Sequence, residues 1–295
     1  MLIKKIKFLI GLLFAYAILI NSTNAQDNSL TLNWELDGLK NPESVIYDPK
    51  LNHLYVSNVN GSPVEKDGNG YISIVSLDGK IINEKWITGL NAPKGLALHG
   101  RTIYTADIDE VVVINIDNGR ITNKFKVDDA KFLNDVTISK NGDVYISDMA
   151  LDRIHILTED NFSIWIESPE LEGPNGLHAE DNEIILGSWG VMTDGFATDT
   201  PGHLKRISIS DKTINSIGDG SSVGNLDGVE SDNNNGFYVT DWMNGKLFHI
   251  TSSGDAHELL DLPQGSADHE VIMRKNLILI PLMMDNKLLS YTIVN

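Results

Sequence analysis

After Ala25 the chain alternates short runs of Val, Ile, Tyr and Phe with clusters of Gly, Asn and Asp, and no long apolar stripe of helical period interrupts them. That pattern predicts strands and turns throughout, an all-β chain. The clearest unit is KFLNDVTISKNGDVYISD, from Lys131 to Asp148. It has a polar opening at Leu133-Asn134-Asp135, a strand, an Asn141-Gly142 turn and a second strand ending on Asp148. Asn-Gly tolerates the positive φ angles of the tight turn whose twist matches that of two paired strands.

The unit recurs. PESVIYDPKLNHLYVSN begins at Pro42, PKGLALHGRTIYTAD at Pro93, PNGLHAEDNEIILGS at Pro174, LDGVESDNNNGFYVTD at Leu226 and ADHEVIMRKNLILIPL at Ala267. With LNDVTISKNGDVYISD from Leu133 these make six repeats, whose first apolar strand residues are Val45, Leu96, Val136, Leu177, Val229 and Val271, spaced 51, 40, 41, 52 and 42 apart. Two further strand-like runs follow each hairpin, such as Tyr71–Leu77 with Ile81–Ile87, or Arg153–Leu157 with Phe162–Ile166. Four strands at a period near 40 predict the blades of a six-bladed β-propeller. The last repeat has only Lys287–Val294 after its hairpin, so the alternating segment Leu30–Trp34 is expected to supply its outer strand and close the ring. The surplus of the two long repeats falls after the second strand in both, at Asn60–Gly70 and Trp189–His203. The second strand returns toward the face where the first began, so both insertions are expected to rise as walls beside the polar openings.

Residues 1–25 stand apart from this pattern. Lys4, Lys5 and Lys7 precede an unbroken apolar run from Phe8 to Ile20, and Thr23-Asn24-Ala25 offers small residues for cleavage. This predicts a secretory signal peptide cut near Ala25, a mature domain spanning 26–295, and a periplasmic or secreted location with no membrane contact after cleavage. The formal charge of −18 becomes −21 when the three lysines leave, which argues against nucleic acid and anionic lipid as partners. A small molecule and a monomeric chain are the expectation. The chain has no cysteine, so disulfides, thiolate nucleophiles, zinc–sulfur sites and iron–sulfur clusters are excluded.

Two residues before each first apolar position stand Glu43, Lys94, Asn134, Asn175 and Asp227, with His269 and its neighbour Asp268 in the last repeat. The innermost strands of a propeller surround its axis, so side chains at one register from several blades point at one another. Two carboxylates and two carboxamides form an all-oxygen set. Hard divalent cations take such a set, and Ca²⁺ tolerates an irregular one better than Mg²⁺. Asn-Asp, Asn-Gly and Asp-Gly also form turns in any β protein; Glu43 is not a turn residue and speaks for the ring.

PESV at Glu43, LNDV at Asn134, GPNGL at Asn175 and LDGV at Asp227 resemble the senescence marker protein/gluconolactonase/luciferin-regenerating enzyme family of six-bladed propellers, over roughly residues 30–294. That family is similar in architecture to the paraoxonases and diisopropylfluorophosphatase. The resemblance implies that Glu43, Asn134, Asn175 and Asp227 ligate one divalent cation, Ca²⁺ first, with Mg²⁺, Mn²⁺ and Zn²⁺ as the other candidates. It implies a metal-dependent hydrolase opening a sugar-type lactone or related ester in the central channel, with Asp227 also the general base for an attacking water. Lys94, Asp148, Trp189, Asp241, Asp268 and His269 are then expected around the substrate, Asp148 and Asp241 to orient hydroxyls and His269 to shuttle a proton. Trp242 joins Trp189 as a candidate for the mouth. The reading from another class is a non-catalytic periplasmic propeller that binds a small ligand or protein partner in the same pocket. A strictosidine-synthase-like activity is a third option, weakened because those relatives lack the full ligand set.

Overall fold

The computed structural model describes residues 29–159 and 161–294; the signal segment expected at 1–25 lies outside them. Among the described residues no helix is long and apolar enough to cross a membrane. Six four-stranded antiparallel sheets follow one another as blades of a ring. Blade 1 runs Pro42–Asp48, His53–Asn58, Gly70–Ser76 and Ile81–Leu90. Blade 2 begins at Pro93–His99, blade 3 at Leu133–Ile138, blade 4 at Pro174–Ala179 and blade 5 at Leu226–Ser231. Blade 6 takes Glu270–Ile272, Leu277–Leu282 and Lys287–Val294 from the C-terminal end, and Ser29–Asp37 as its outer strand. The first described strand pairs with the last, Ser29 opposite Val294 and Asp37 opposite Lys287. This is the expected ring closure, and it pairs two segments of opposite ends of the chain.

Hydrophobic alternation along the strands builds the core as slabs between neighbouring blades. Leu54 and Val56 of blade 1 pack with Leu279 and Leu288 of blade 6, and the next slab sets Tyr55 and Ile72 against Ile103 and Val112 of blade 2. Inner strands bury both faces, which is why they read as nearly continuous apolar runs after their polar start.

Each of blades 1–5 carries the same irregularity. The pairing of the first two strands jumps from Pro42↔Asn58 to Val45↔Val56, and equivalently between Pro93 and Leu96, Leu133 and Val136, Pro174 and Leu177, and Leu226 and Val229. The inner strand advances three residues while its partner advances two, a β-bulge. The extra pair is Glu43-Ser44, Lys94-Gly95, Asn134-Asp135, Asn175-Gly176 and Asp227-Gly228. The polar opening read from the sequence is therefore a repeated bulge, which frees one side chain per blade from the sheet.

Candidate functional site

Bulge geometry is held by small residues and hydroxyls. The N–H of Ser44 donates to Ser57 Oγ, that of Asp135 to Ser147 Oγ and that of Gly228 to Thr240 Oγ1, each at 2.9 Å. In these three blades a hydroxyl of the second strand receives the donor that the bulge takes out of the ladder. Glycine follows the freed side chain in blades 2, 4 and 5 because the neighbouring inner strand passes there. A Cβ on Gly176 would stand 1.6 Å from the carbonyl oxygen of Asp227, and one on Gly228 2.6 Å from His269 Nδ1.

Glu43, Lys94, Asn134, Asn175 and Asp227 line one cavity of about 140 Å³. All five are nearly fully buried. Asn134 Nδ2 donates to Asn175 Oδ1, and Asn175 Nδ2 donates to the Leu226 carbonyl at 3.0 Å. Glu43 Oε2 is buried without a hydrogen-bond partner. Burial, then the charge of Asp227, holds the Glu43 carboxyl well above the usual range, against the pull of the Lys94 ammonium. Burial, then Asp135 and Asp241, does the same to Asp227. Lys94 is itself pushed down to about 8 by burial; its Nζ donates to the Ala92 carbonyl at 3.1 Å and lies 4.6 Å from the centre of the Phe132 ring.

Two buried carboxylates, one of them beside a lysine, an oxygen without a partner and two carboxamides make a donor set that a hard cation would satisfy. Among the described residues no three Asp, Glu or His side chains form a metal cluster by themselves, so Asn134 and Asn175 would have to complete the set.

Above this polar floor the walls are apolar. They comprise Phe132, Met149, Trp189, Phe196, Trp242, Met243 and Met283, with Pro63. Pro63 comes from the blade 1 insertion. Phe196 comes from the blade 4 insertion, where Gly190–Met192 pairs with Thr198–Pro201 as an extra hairpin. Both insertions thus stand where walls were expected. Of the residues expected around the substrate, Lys94 and Trp189 line the cavity.

Asp148 and Asp241 are not among its lining residues. Asp148 accepts the N–H groups of Lys131 and Phe132 at 3.1 and 3.0 Å. Asp241 accepts those of Asn225, Met243 and Asn244 at 3.2, 3.1 and 3.2 Å. Asp107 of blade 2 treats Asn91 and Ala92 in the same way. A carboxylate ending the second strand therefore anchors the loop that leads into the freed side chain of its own blade, and the second oxygen of Asp241 accepts from Asn244 Nδ2 at 2.7 Å.

Asp268 and His269 also lie outside this cavity. Asp268 accepts from Ser44 Oγ and its N–H donates to the Glu43 carbonyl at 3.0 Å. Its side chain faces a second cavity of about 200 Å³, farther along the inner strands, with Asp135, His178 and Glu230. Burial pushes Asp268 up and Asp135 up to about 7. His269 is 1% exposed, neither ring nitrogen has a partner, and burial lowers it to about 4. Its ring packs against Gly228 and does not line the floor. The sequence reading missed Asp135, whose Oδ2 accepts the Leu177 N–H at 2.6 Å and ties blade 3 to blade 4. It missed Phe132, Met149, Phe196, Met243 and Met283 as well, because an apolar loop residue looks the same in sequence whether it packs or binds.

A larger depression, about 670 Å³, lies at the edge of blades 4 and 5 beside Glu183, Arg206 and Phe237 and holds none of the ring residues.

No protein-family model and no curated protein matches the sequence. Solved structures match over nearly the whole length. A gluconolactonase from Xanthomonas campestris is 12% identical, covering 90% of this chain and 89% of that one with a TM-score of 0.67. A virginiamycin B lyase from Staphylococcus aureus is 14% identical over 90% and 100%, with a TM-score of 0.62. The WD40 domain of Pan2 from Neurospora crassa is 12% identical over 91% and 97%, with a TM-score of 0.59. The likeness is one of fold. Structural neighbours that include a lactonase, a lyase and a WD40 domain carry the propeller and leave its chemistry to the residues of this chain.

Proposed function

We propose that this chain is a divalent-metal-dependent hydrolase that opens a cyclic ester, a lactone, at the floor of the central cavity. The observation that carries the reading is Glu43 Oε2, a buried carboxylate oxygen without a partner, facing the same cavity as Asp227, Asn134 and Asn175. A carboxylate desolvated to that degree is costly unless it is protonated or meets a cation.

Glu43, Asn134, Asn175 and Asp227 would hold the cation, Ca²⁺ by preference for oxygen donors. When bound, a divalent cation polarises a carbonyl oxygen and steadies the charge that develops on it. The remaining work belongs to the chain. Asp227, at the floor with a carboxylate oxygen to spare, would take the proton that an attacking water gives up. Lys94 adds positive charge beside the floor and offsets the Glu43 carboxylate. The carboxamides of Asn134 and Asn175 fix the floor through their mutual hydrogen bond and that to Leu226. The apolar walls keep bulk water from competing.

A panel of lactones assayed with calcium and with chelator tests the reading. Turnover of at least one lactone that stops with chelator, and stops in Asp227→Asn, supports it. Calcium binding with no turnover on any lactone would assign the pocket to a binding protein instead.

A further inference from the structure

We propose that the cavity selects a lactone bearing an aromatic ring or short alkyl substituent and rejects polyhydroxylated sugar lactones. This rests on the hydrolase reading for the word lactone, and on the walls for the choice between substituents.

The walls meet through rings. Phe132 and Phe196 have centroids 5.0 Å apart, Trp189 and Phe196 6.4 Å, and Trp189 and Trp242 6.1 Å. The one polar atom of Trp189 donates to the Phe196 carbonyl at 2.8 Å, so the indole presents only its ring. Met243 adds a thioether, which is polarisable and adapts to ring edges. A pyranose lactone would bring several hydroxyls against these surfaces, and Trp242 Nε1 is the only other nitrogen donor among the wall side chains. Each hydroxyl buried without a partner would weaken binding by roughly tenfold or more.

The carboxylates that could have received hydroxyls, Asp148 and Asp241, accept backbone N–H groups and lie outside the cavity. Polar side chains are confined to the floor, where a lactone has one carbonyl and one ring oxygen.

The rim extends the same chemistry. Among the described residues ten large hydrophobics are exposed, and five of them, Val64, Val191, Phe196, Met243 and Met284, are wall residues or sit in a wall loop or next to a wall residue. Phe196 is 41% and Met243 38% exposed. Single exposed apolar residues are ordinary, but Phe196 and Met243 are both exposed and both line the cavity, which favours an apolar ligand there. The small volume, about 140 Å³, is well below the several hundred Å³ of a drug-sized pocket and suits a ligand of one or two rings.

The test uses pairs of probes on the calcium-loaded chain. 3,4-Dihydroquinolin-2-one is the non-hydrolysable lactam of dihydrocoumarin, and gluconolactam that of glucono-δ-lactone. Calorimetry is expected to give the bicyclic lactam at least about tenfold tighter binding than gluconolactam, from burial of one aromatic ring. Phe196→Ser should lower the affinity for the bicyclic lactam several-fold while calcium still binds, which shows that the variant is folded. Equal or tighter binding of gluconolactam, or no binding of either lactam, would overturn the proposal. The two lactones are assayed for hydrolysis alongside. If the bicyclic lactam binds and neither lactone is hydrolysed, the apolar selectivity stands and the hydrolase reading falls.

Discussion

The N–H of Asp135 donates to the hydroxyl of Ser147 across 2.9 Å, inside the bulge that frees Asn134 from the sheet. Ser147 is fully buried. Ser147→Ala leaves a buried donor unsatisfied and is expected to cost about 1–3 kcal/mol in urea denaturation. Ser147→Thr should cost less, because Thr240 fills the same role in blade 5. Equal losses for the two variants would mean that the hydroxyl does not hold the bulge.

The bulge also requires glycine in blade 4. Gly176→Ala drives a Cβ against the Asp227 carbonyl oxygen, backbone of the adjacent inner strand that cannot swing aside. The expected result is loss of more than about 4 kcal/mol or no folded protein at all. Gly100→Ala is the control. It has open space around it and a φ of 61°, so it should lose only about 1–2 kcal/mol from left-handed strain. Comparable thermal stability of the two variants would contradict the packing described for the channel.

Much of this fold can be read in the sequence because the repeat is local. The Asn141-Gly142 turn, the spacing of Val45, Leu96 and Val136, and the single run after the last hairpin already specify six blades and the closing strand. The freed side chains are legible for the same reason, since their register repeats. What the sequence does not carry is the direction in which a second-strand carboxylate points. Asp148 and Asp241 end strands on the face of the ring residues, as expected, yet they turn to backbone N–H groups of their own blades. Asp and Asn readily satisfy loop backbone in this way. The apolar walls were hidden for another reason: Phe132 and Phe196 are 64 residues apart in the chain, and only the packing of blade 4 and its insertion beside blade 3 brings their rings to 5.0 Å.

His178 offers a pH-dependent check on the far side of the channel. Its Nδ1 lies 3.4 Å from Glu230 Oε2. Burial alone would lower its pKa, but hydrogen bonding and charge from Glu230, aided by Glu180 and Asp135, raise it above the ordinary value. A raised pKa means that the folded state binds the proton more tightly than the unfolded chain. The resulting stability is fully present below about pH 6.5 and is lost as pH rises through the folded value. His178→Gln should therefore destabilise the protein more at pH 5.5 than at pH 8.5, measured by urea denaturation at both. A penalty that grows with pH would show that Glu230 does not hold the charged imidazole.

The floor of the cavity is tested most directly by titrating calcium into the chelator-treated chain by calorimetry at pH 7.5. Binding at one site per chain is predicted, abolished by Glu43→Gln and by Asp227→Asn while circular dichroism shows the sheet unchanged. A wild-type chain that binds neither Ca²⁺, Mg²⁺, Mn²⁺ nor Zn²⁺, or variants that bind calcium as the wild type does, would contradict the assignment of Glu43, Asn134, Asn175 and Asp227 as the metal site.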